Sequence, residues 1–401
     1  MILLAIGILG LICVIAVTAK FPVAMTVIWM LVIETTPEMW LSGNHEAIVG
    51  AAKAAGIGLV IIPGILFGWR RDRYNPAFAY TAMFGAGLLH GLYPGLTLLA
   101  SLRSLIGSAA PFAFSFVQVP EPWRRAVIRT VILGPAASLA VGLVLNLLGL
   151  HLIYTVELGA LRLAGAGEPA FLGGFALIAI YAGLLEMLRH NSPAEAFLLA
   201  LNFAILLLTG ARTPLALAIL LILVTLGSQR RFMALAGIGA ITALAVIFLG
   251  NLSFIRVIDM AQLGQAGNLS NRQLIWPLFE AAITTSPWVG WGIGAGKVIV
   301  PLHTGISTLI GTNAAHNEYL RLGAEGGWLG LTLLILCIGL WAYHGTRHLP
   351  PAERTLMRLV FLAFAAHSAT DNTMIATTSS VLFIWTTAVF AGAAQPTKEA
   401  P

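Results

Sequence analysis

Apolar residues fill this chain in long blocks separated by short polar breaks, and each block is of roughly the 17–25 residues that a helix needs to cross a bilayer. The pattern predicts spanning helices over about 2–18, 21–36, 48–69, 77–93, 95–117, 125–149, 170–187, 194–209, 213–228, 232–252, 320–344, 354–370 and 375–393. That makes twelve or thirteen spans in a single polytopic domain covering residues 1–401. Alternation over ~10-residue segments, the mark of a membrane barrel, is missing. The halves do not mirror each other, which argues against an inverted-repeat transporter. One extended hydrophilic segment, 253–319, interrupts the blocks.

The polar breaks set an orientation. Arg70, Arg71 and Arg73, then Arg124 and Arg125, Arg189, Arg230 and Arg231, Arg347 and Arg354, and Lys398 all fall on one side if the spans alternate. A concentration of arginine and lysine in short loops marks the cytoplasmic side. The opposite side then receives 37–47, 150–169, the tight turn at 210–212, the 253–319 loop and the turn near Asp371. The first apolar run meets Lys20 and a second run at once, so it reads as a retained helix rather than a removed signal peptide.

Composition agrees. The 401 residues are 58% hydrophobic and 9% charged, with a mean hydropathy of +0.90. A soluble domain carries about 25% charged residues, so this is an all-α integral membrane protein. The net charge of +6 reflects loop topology and not a nucleic-acid partner. Cys13 and Cys337 both fall inside predicted spans, far apart, and supply neither a disulfide framework nor a metal knuckle. The outer carboxylates Glu38, Glu46, Asp259 and Asp371 are scattered, so neither a metal site nor a cofactor is expected.

Chemistry concentrates around the long loop. Asn271 to Thr285 predicts a short helix capped by Ser270 or Asn271, followed by the tight aromatic turn Ser286-Pro287-Trp288-Val289-Gly290-Trp291-Gly292. Trp276, Trp288 and Trp291 suit a loop lying on lipid headgroups. Arg272, in the first turn of that helix, faces the positive end of the helix dipole, a placement that makes sense if arginine and free N–H groups jointly hold an anion; alternatively it is an exposed loop arginine. Arg212 stands in the turn Thr209-Gly210-Ala211-Arg212, on the side poor in arginine. It is either a guanidinium fork for phosphate or a helix-end residue reaching lipid phosphate. Arg162 and Arg256, on the same side, read as headgroup contacts.

His316 closes the loop and opens a span, with Asn313, Asn317 and Glu318 around it. It reads as a headgroup contact or as a base: an imidazole can take a proton from a sugar hydroxyl at neutral pH, or orient it. Asn317, Arg321, Asp371 and Arg103 complete the candidate substrate-binding set. Three have a structural alternative: Arg321 pairs with Glu325 inside the span, Asp371 either orients His316 or an acceptor hydroxyl or caps the last span, and Arg103 faces a lipid phosphate or joins a buried ion pair.

These residues resemble the O-antigen ligase and polymerase superfamily of bacterial envelope glycosyltransferases. The likeness rests on the Arg212 turn, on Ser270-Asn271-Arg272-Gln273-Leu274-Ile275-Trp276 running into Ser286-Pro287-Trp288-Val289-Gly290-Trp291-Gly292, and on His316-Asn317-Glu318-Tyr319-Leu320 with Glu325-Gly326-Gly327-Trp328-Leu329-Gly330. It covers roughly residues 200–335, and Ala211 stands where the family more often has serine. The resemblance implies a GT-C-like helical body with one large periplasmic loop, in the bacterial inner membrane. It implies an inverting, metal-independent transfer of glycan from an undecaprenyl pyrophosphate carrier to lipid A-core, without a cofactor. Arg212, Arg272 and His316 would then meet around the departing diphosphate at the outer leaflet. A polymerase or a protein O-glycan ligase shares these motifs, and a transporter with arginines along its path is a reading of a different class.

Overall fold

The computed structural model describes residues 15–40, 45–157, 160–228, 237, 239, 274–302, 305–310 and 312–393. The described chain is mostly helical. It divides into two compact units, one drawn from Met1–Asp72, Ala110–Phe254 and Ser380–Pro401, the other from Arg73–Ala109 and Ile255–Ser379.

In the first unit lie α1 (Pro22–Glu34), α2 (His45–Phe67), α5 (Glu121–Leu147), α6 (Pro169–His190), α7 (Pro193–Thr209), α8 (Arg212–Ser228) and most of α13 (Thr377–Ala393). Its centre is α6, which is buried on all sides and packs on α5, α7 and α8. The buried Gly173, Gly174, Ala176, Ala179, Ala182 and Gly183 explain this. Between apolar helices in lipid, association comes from close packing, and small side chains let backbones approach. Prolines open α6 and α7, where a missing N–H costs nothing. The two helices turn about on Asn191, left-handed at φ 48°, and Ser192, whose Oγ accepts from the Glu195 N–H at 3.2 Å.

A hairpin that the helical pattern does not predict joins α5 to α6. Strands β1 (Tyr154–Glu157) and β2 (Ala160–Leu163) pair antiparallel, with Thr155 opposite Arg162. Four residues of alternation per strand are too few for periodicity to register.

In the second unit lie α3 (Ala77–His90), most of α4 (Leu98–Ala113), α9 (Trp276–Thr285), α10 (Gly305–Ile310), α11 (Glu318–Thr346) and α12 (Pro351–Ser368). Leu96, Ile275, Phe279, Ala295, Val300 and Ala324 are buried together at its core. Helix α9 begins at Trp276, later than expected, because Pro277 fits only in a first turn. The expected start of this helix, with Arg272 in its first turn, lies outside the described residues.

Helix α11 is broken at Gly327, whose backbone (φ 59°, ψ −170°) is not helical. A break inside a span leaves N–H and C=O groups that lipid cannot satisfy. The turn 286–292 satisfies them. Trp291 and Gly292 donate their N–H groups to the carbonyls of Ala324 and Glu325, both at 2.9 Å. Trp328 and Leu329 donate back to the carbonyls of Pro287 (2.8 Å) and Trp288 (3.1 Å).

Among the described residues, four helical segments are long and apolar enough to cross a membrane: Leu98–Phe116, Glu121–Leu147, Pro169–His190 and Glu318–Thr346. Pro22–Glu34, Pro193–Thr209, Arg212–Ser228 and Thr377–Ala393 are shorter apolar helices. The expected spans at 2–18 and 232–252 fall almost wholly outside the described residues.

Candidate active site

His316 sits between the loop and α11 in a left-handed conformation, φ 48°. For a residue with a β-carbon this costs roughly 1–2 kcal/mol, and such strain persists where neighbours impose it. Several do. Asn317 caps α11, its Oδ1 accepting from the N–H groups of Tyr319 (3.0 Å) and Leu320 (3.3 Å). On the other side, the Ala315 carbonyl accepts from Trp276 Nε1 at 2.9 Å.

The His316 ring is aimed at Asp371, Nδ1 lying 3.2 Å from Oδ1, with the side chains 28% and 40% exposed. Asp371 Oδ1 also accepts from the Asn372 N–H at 2.8 Å, and His367 Nε2 stands 3.9 Å from Oδ2. Burial pushes the Asp371 carboxyl up, but the His316 hydrogen bond, the nearby His367 and the Asn372 N–H outweigh it and hold the group below the usual aspartate range. An ionised carboxylate only accepts. In the neutral imidazole, Nδ1 of His316 is then the nitrogen that donates to Asp371, and Nε2 carries the free electron pair.

A buried ionic row supports this pair. Arg321 donates from Nε to Glu318 (2.6 Å) and from Nη1 to Glu325 (2.7 Å). Glu318 also accepts the Met374 N–H at 2.7 Å, and Glu325 the Gly296 N–H at 3.2 Å. Two segments are thus tied to α11, one of them the turn that bears Asp371. Arg321 is 4% exposed and engaged at both ends. That favours the structural alternative over a substrate contact.

Trp276 and Trp291 depart from the expected headgroup setting. Both spend their indole N–H on backbone carbonyls, of Ala315 and Ala282, whereas Trp288 remains 66% exposed. Arg103 is exposed on α4 and makes no ion pair among the described residues. Arg272 lies outside them. In the first unit, Arg212 is half-buried as the first residue of α8. Arg162 is no headgroup contact: it is buried, and its Nε donates to the Thr209 carbonyl at 2.7 Å. Sequence reading also passed over His367, which ends up beside Asp371 just past the end of α12, and over the bond from Glu318 to the Met374 backbone.

Residues 197–335 match the O-Antigen ligase family model. The chain carries an O-antigen ligase domain. No curated protein matches it. The matched stretch holds α8 with Arg212, all of α9 and α10, and α11 through its break, so His316 falls within this domain and Asp371 beyond it. A membrane protein with a glycosyl-transfer type of activity on a lipid-linked glycan follows at that general level.

Proposed function

We propose that this protein is an O-antigen ligase: an inverting, metal-independent glycosyltransferase moving a glycan from undecaprenyl pyrophosphate to lipid A-core, at the periplasmic face of the bacterial inner membrane. The observation that carries the reading is the His316–Asp371 pair, within a chain whose O-antigen ligase domain ends in the helix that His316 precedes. The free electron pair on His316 Nε2 suits a base. The acceptor sugar hydroxyl gives its proton to Nε2 as its oxygen bonds to the anomeric carbon from the face opposite the carrier. The bond from that carbon to the pyrophosphate oxygen breaks with both electrons going to the pyrophosphate. This leaving group is a stable anion and needs positive charge in place of a proton, the role assigned to Arg212 and Arg272. Asn317, Arg103 and Asp371 would order the substrates on a GT-C-like helical body, with the 253–319 periplasmic loop bearing part of the active site.

The test is transfer by purified protein supplied with carrier-linked glycan and lipid A-core. Wild type should form glycan-capped lipid A-core, and His316→Ala should lose about 10²–10⁴-fold in rate, the usual worth of a positioned base. Arg272→Ala should fall comparably. Equal product from all three removes the proposed site. Glycan extension on the carrier alone would make the protein a polymerase instead.

A further inference from the structure

We infer that Arg162 is a positioning residue for Arg212: it locks the turn from which Arg212 projects, so that the guanidinium meets the carrier pyrophosphate already in place. The inference rests on the reading of Arg212 as a pyrophosphate ligand. Arg162 lies on β2, opposite Thr155 of β1, and is only 8% exposed. Its Nε donates to the carbonyl of Thr209, the last residue of α7, at 2.7 Å. Carbonyls in a last helical turn lack intrahelical partners, and a cation there complements the helix dipole. Burying an arginine is costly, so one set against a helix end has a specific task.

The turn after Thr209 reveals that task. Gly210 reverses the chain in the left-handed region at φ 64°, its N–H bonded to Leu207 O at 3.1 Å. A β-carbon placed on Gly210 would lie 3.6 Å from Arg162 Nε, in ordinary contact. Ala211 N–H donates to Thr209 Oγ1 at 3.3 Å, and Thr209 Oγ1 donates to Leu206 O at 2.7 Å. From α6, Gly173 closes on the same turn: a β-carbon there would come 2.8 Å from that of Ala211 and 2.9 Å from Thr209 Oγ1. The turn is thus held from two sides, and Arg212 is the next residue. A cation ordered before its ligand arrives loses less side-chain freedom on binding.

The test measures binding of undecaprenyl pyrophosphate to the full chain in lipid nanodiscs, for wild type, Arg212→Ala, Arg162→Met, Arg162→Lys and the double variant Arg162→Met/Arg212→Ala. Arg162→Met should raise Kd about tenfold, the scale of one charge-assisted hydrogen bond, and speed amide exchange at residues 210–212. In the Arg212→Ala background the same change should add nothing, because its effect travels through Arg212. Arg162→Lys, which keeps a cation and disturbs folding least, should fall between wild type and Arg162→Met. An unchanged Kd for Arg162→Met or Arg162→Lys overturns the inference, and so does the same tenfold factor in both backgrounds. An unchanged Kd for Arg212→Ala removes the parent reading of Arg212, and that single variant separates the two failures.

Discussion

Asp371 is the residue whose charge state governs the candidate site. Its carboxyl is held below the ordinary aspartate range by His316, His367 and the Asn372 N–H, so its contribution to stability has a definite sign. A depressed value means that the contribution is complete above about pH 4 and is lost as pH falls through the folded value. The melting temperature of wild type should therefore exceed that of Asp371→Asn above about pH 5, and the margin should close on acidification below about pH 4. Asparagine can also present an N–H to His316 and turn the ring to the wrong tautomer. Asp371→Asn should then lose about 10²-fold in kcat at neutral pH, with a smaller change in KM. An unaltered kcat would leave the pair without a part in proton transfer. The sequence shows that His316 and Asp371 are polar residues at span ends. Their contact across 55 positions depends on the fold of the second unit and has no local signal.

At the scale of elements, the glycines of the 286–292 turn and of Gly326 to Gly330 acquire a mechanical meaning. Gly327 breaks α11, and the aromatic turn 286–292 is spliced into the gap by four backbone hydrogen bonds. A β-carbon on Gly327 would run into the Trp288 backbone, and its φ/ψ pair suits glycine almost alone. Gly327→Ala should cost about 2–3 kcal/mol or more, read as a lowered melting temperature in detergent. Gly339→Ala is the control. Gly339 lies in the regular part of the same helix with open space around it, and there alanine should be neutral or should stabilise by about 0.5–1 kcal/mol. Equal effects at the two positions would mean that the break is not a fixed part of the fold. The period of apolar residues predicts one uninterrupted span here, because Gly326, Gly327 and Gly330 do not disturb hydropathy. Sequence spacing likewise starts the loop helix near Asn271, while Pro277 and the packing of Ile275 delay it to Trp276.

Over the whole molecule, contacts within each unit join chain ends that span alternation puts on the same side. Arg70 N–H bonds Phe116 O at 2.6 Å and Ser115 bonds Asp72 at 2.7 Å in the first unit, and Tyr74 stacks on His344 in the second. All lie in breaks expected in the cytoplasm or at the span ends that meet them. His316 and Asp371 belong to breaks expected outside. Reporter fusions after Arg71 and after Arg347 should therefore read as cytoplasmic, and a fusion after Asp371 as external; the reverse readings would invert the proposed orientation. Hydropathy by itself determined that this chain is a helical membrane protein, because the bilayer demands long apolar helices whatever their neighbours. Charge distribution ordered its loops, and the motifs pointed to the ligase family. Tertiary structure alone decided that Arg321 is consumed by two buried carboxylates, that Arg162 is a buried cap, and that α11 is broken. These depend on which distant groups come within hydrogen-bonding range, and a linear pattern carries no such distances.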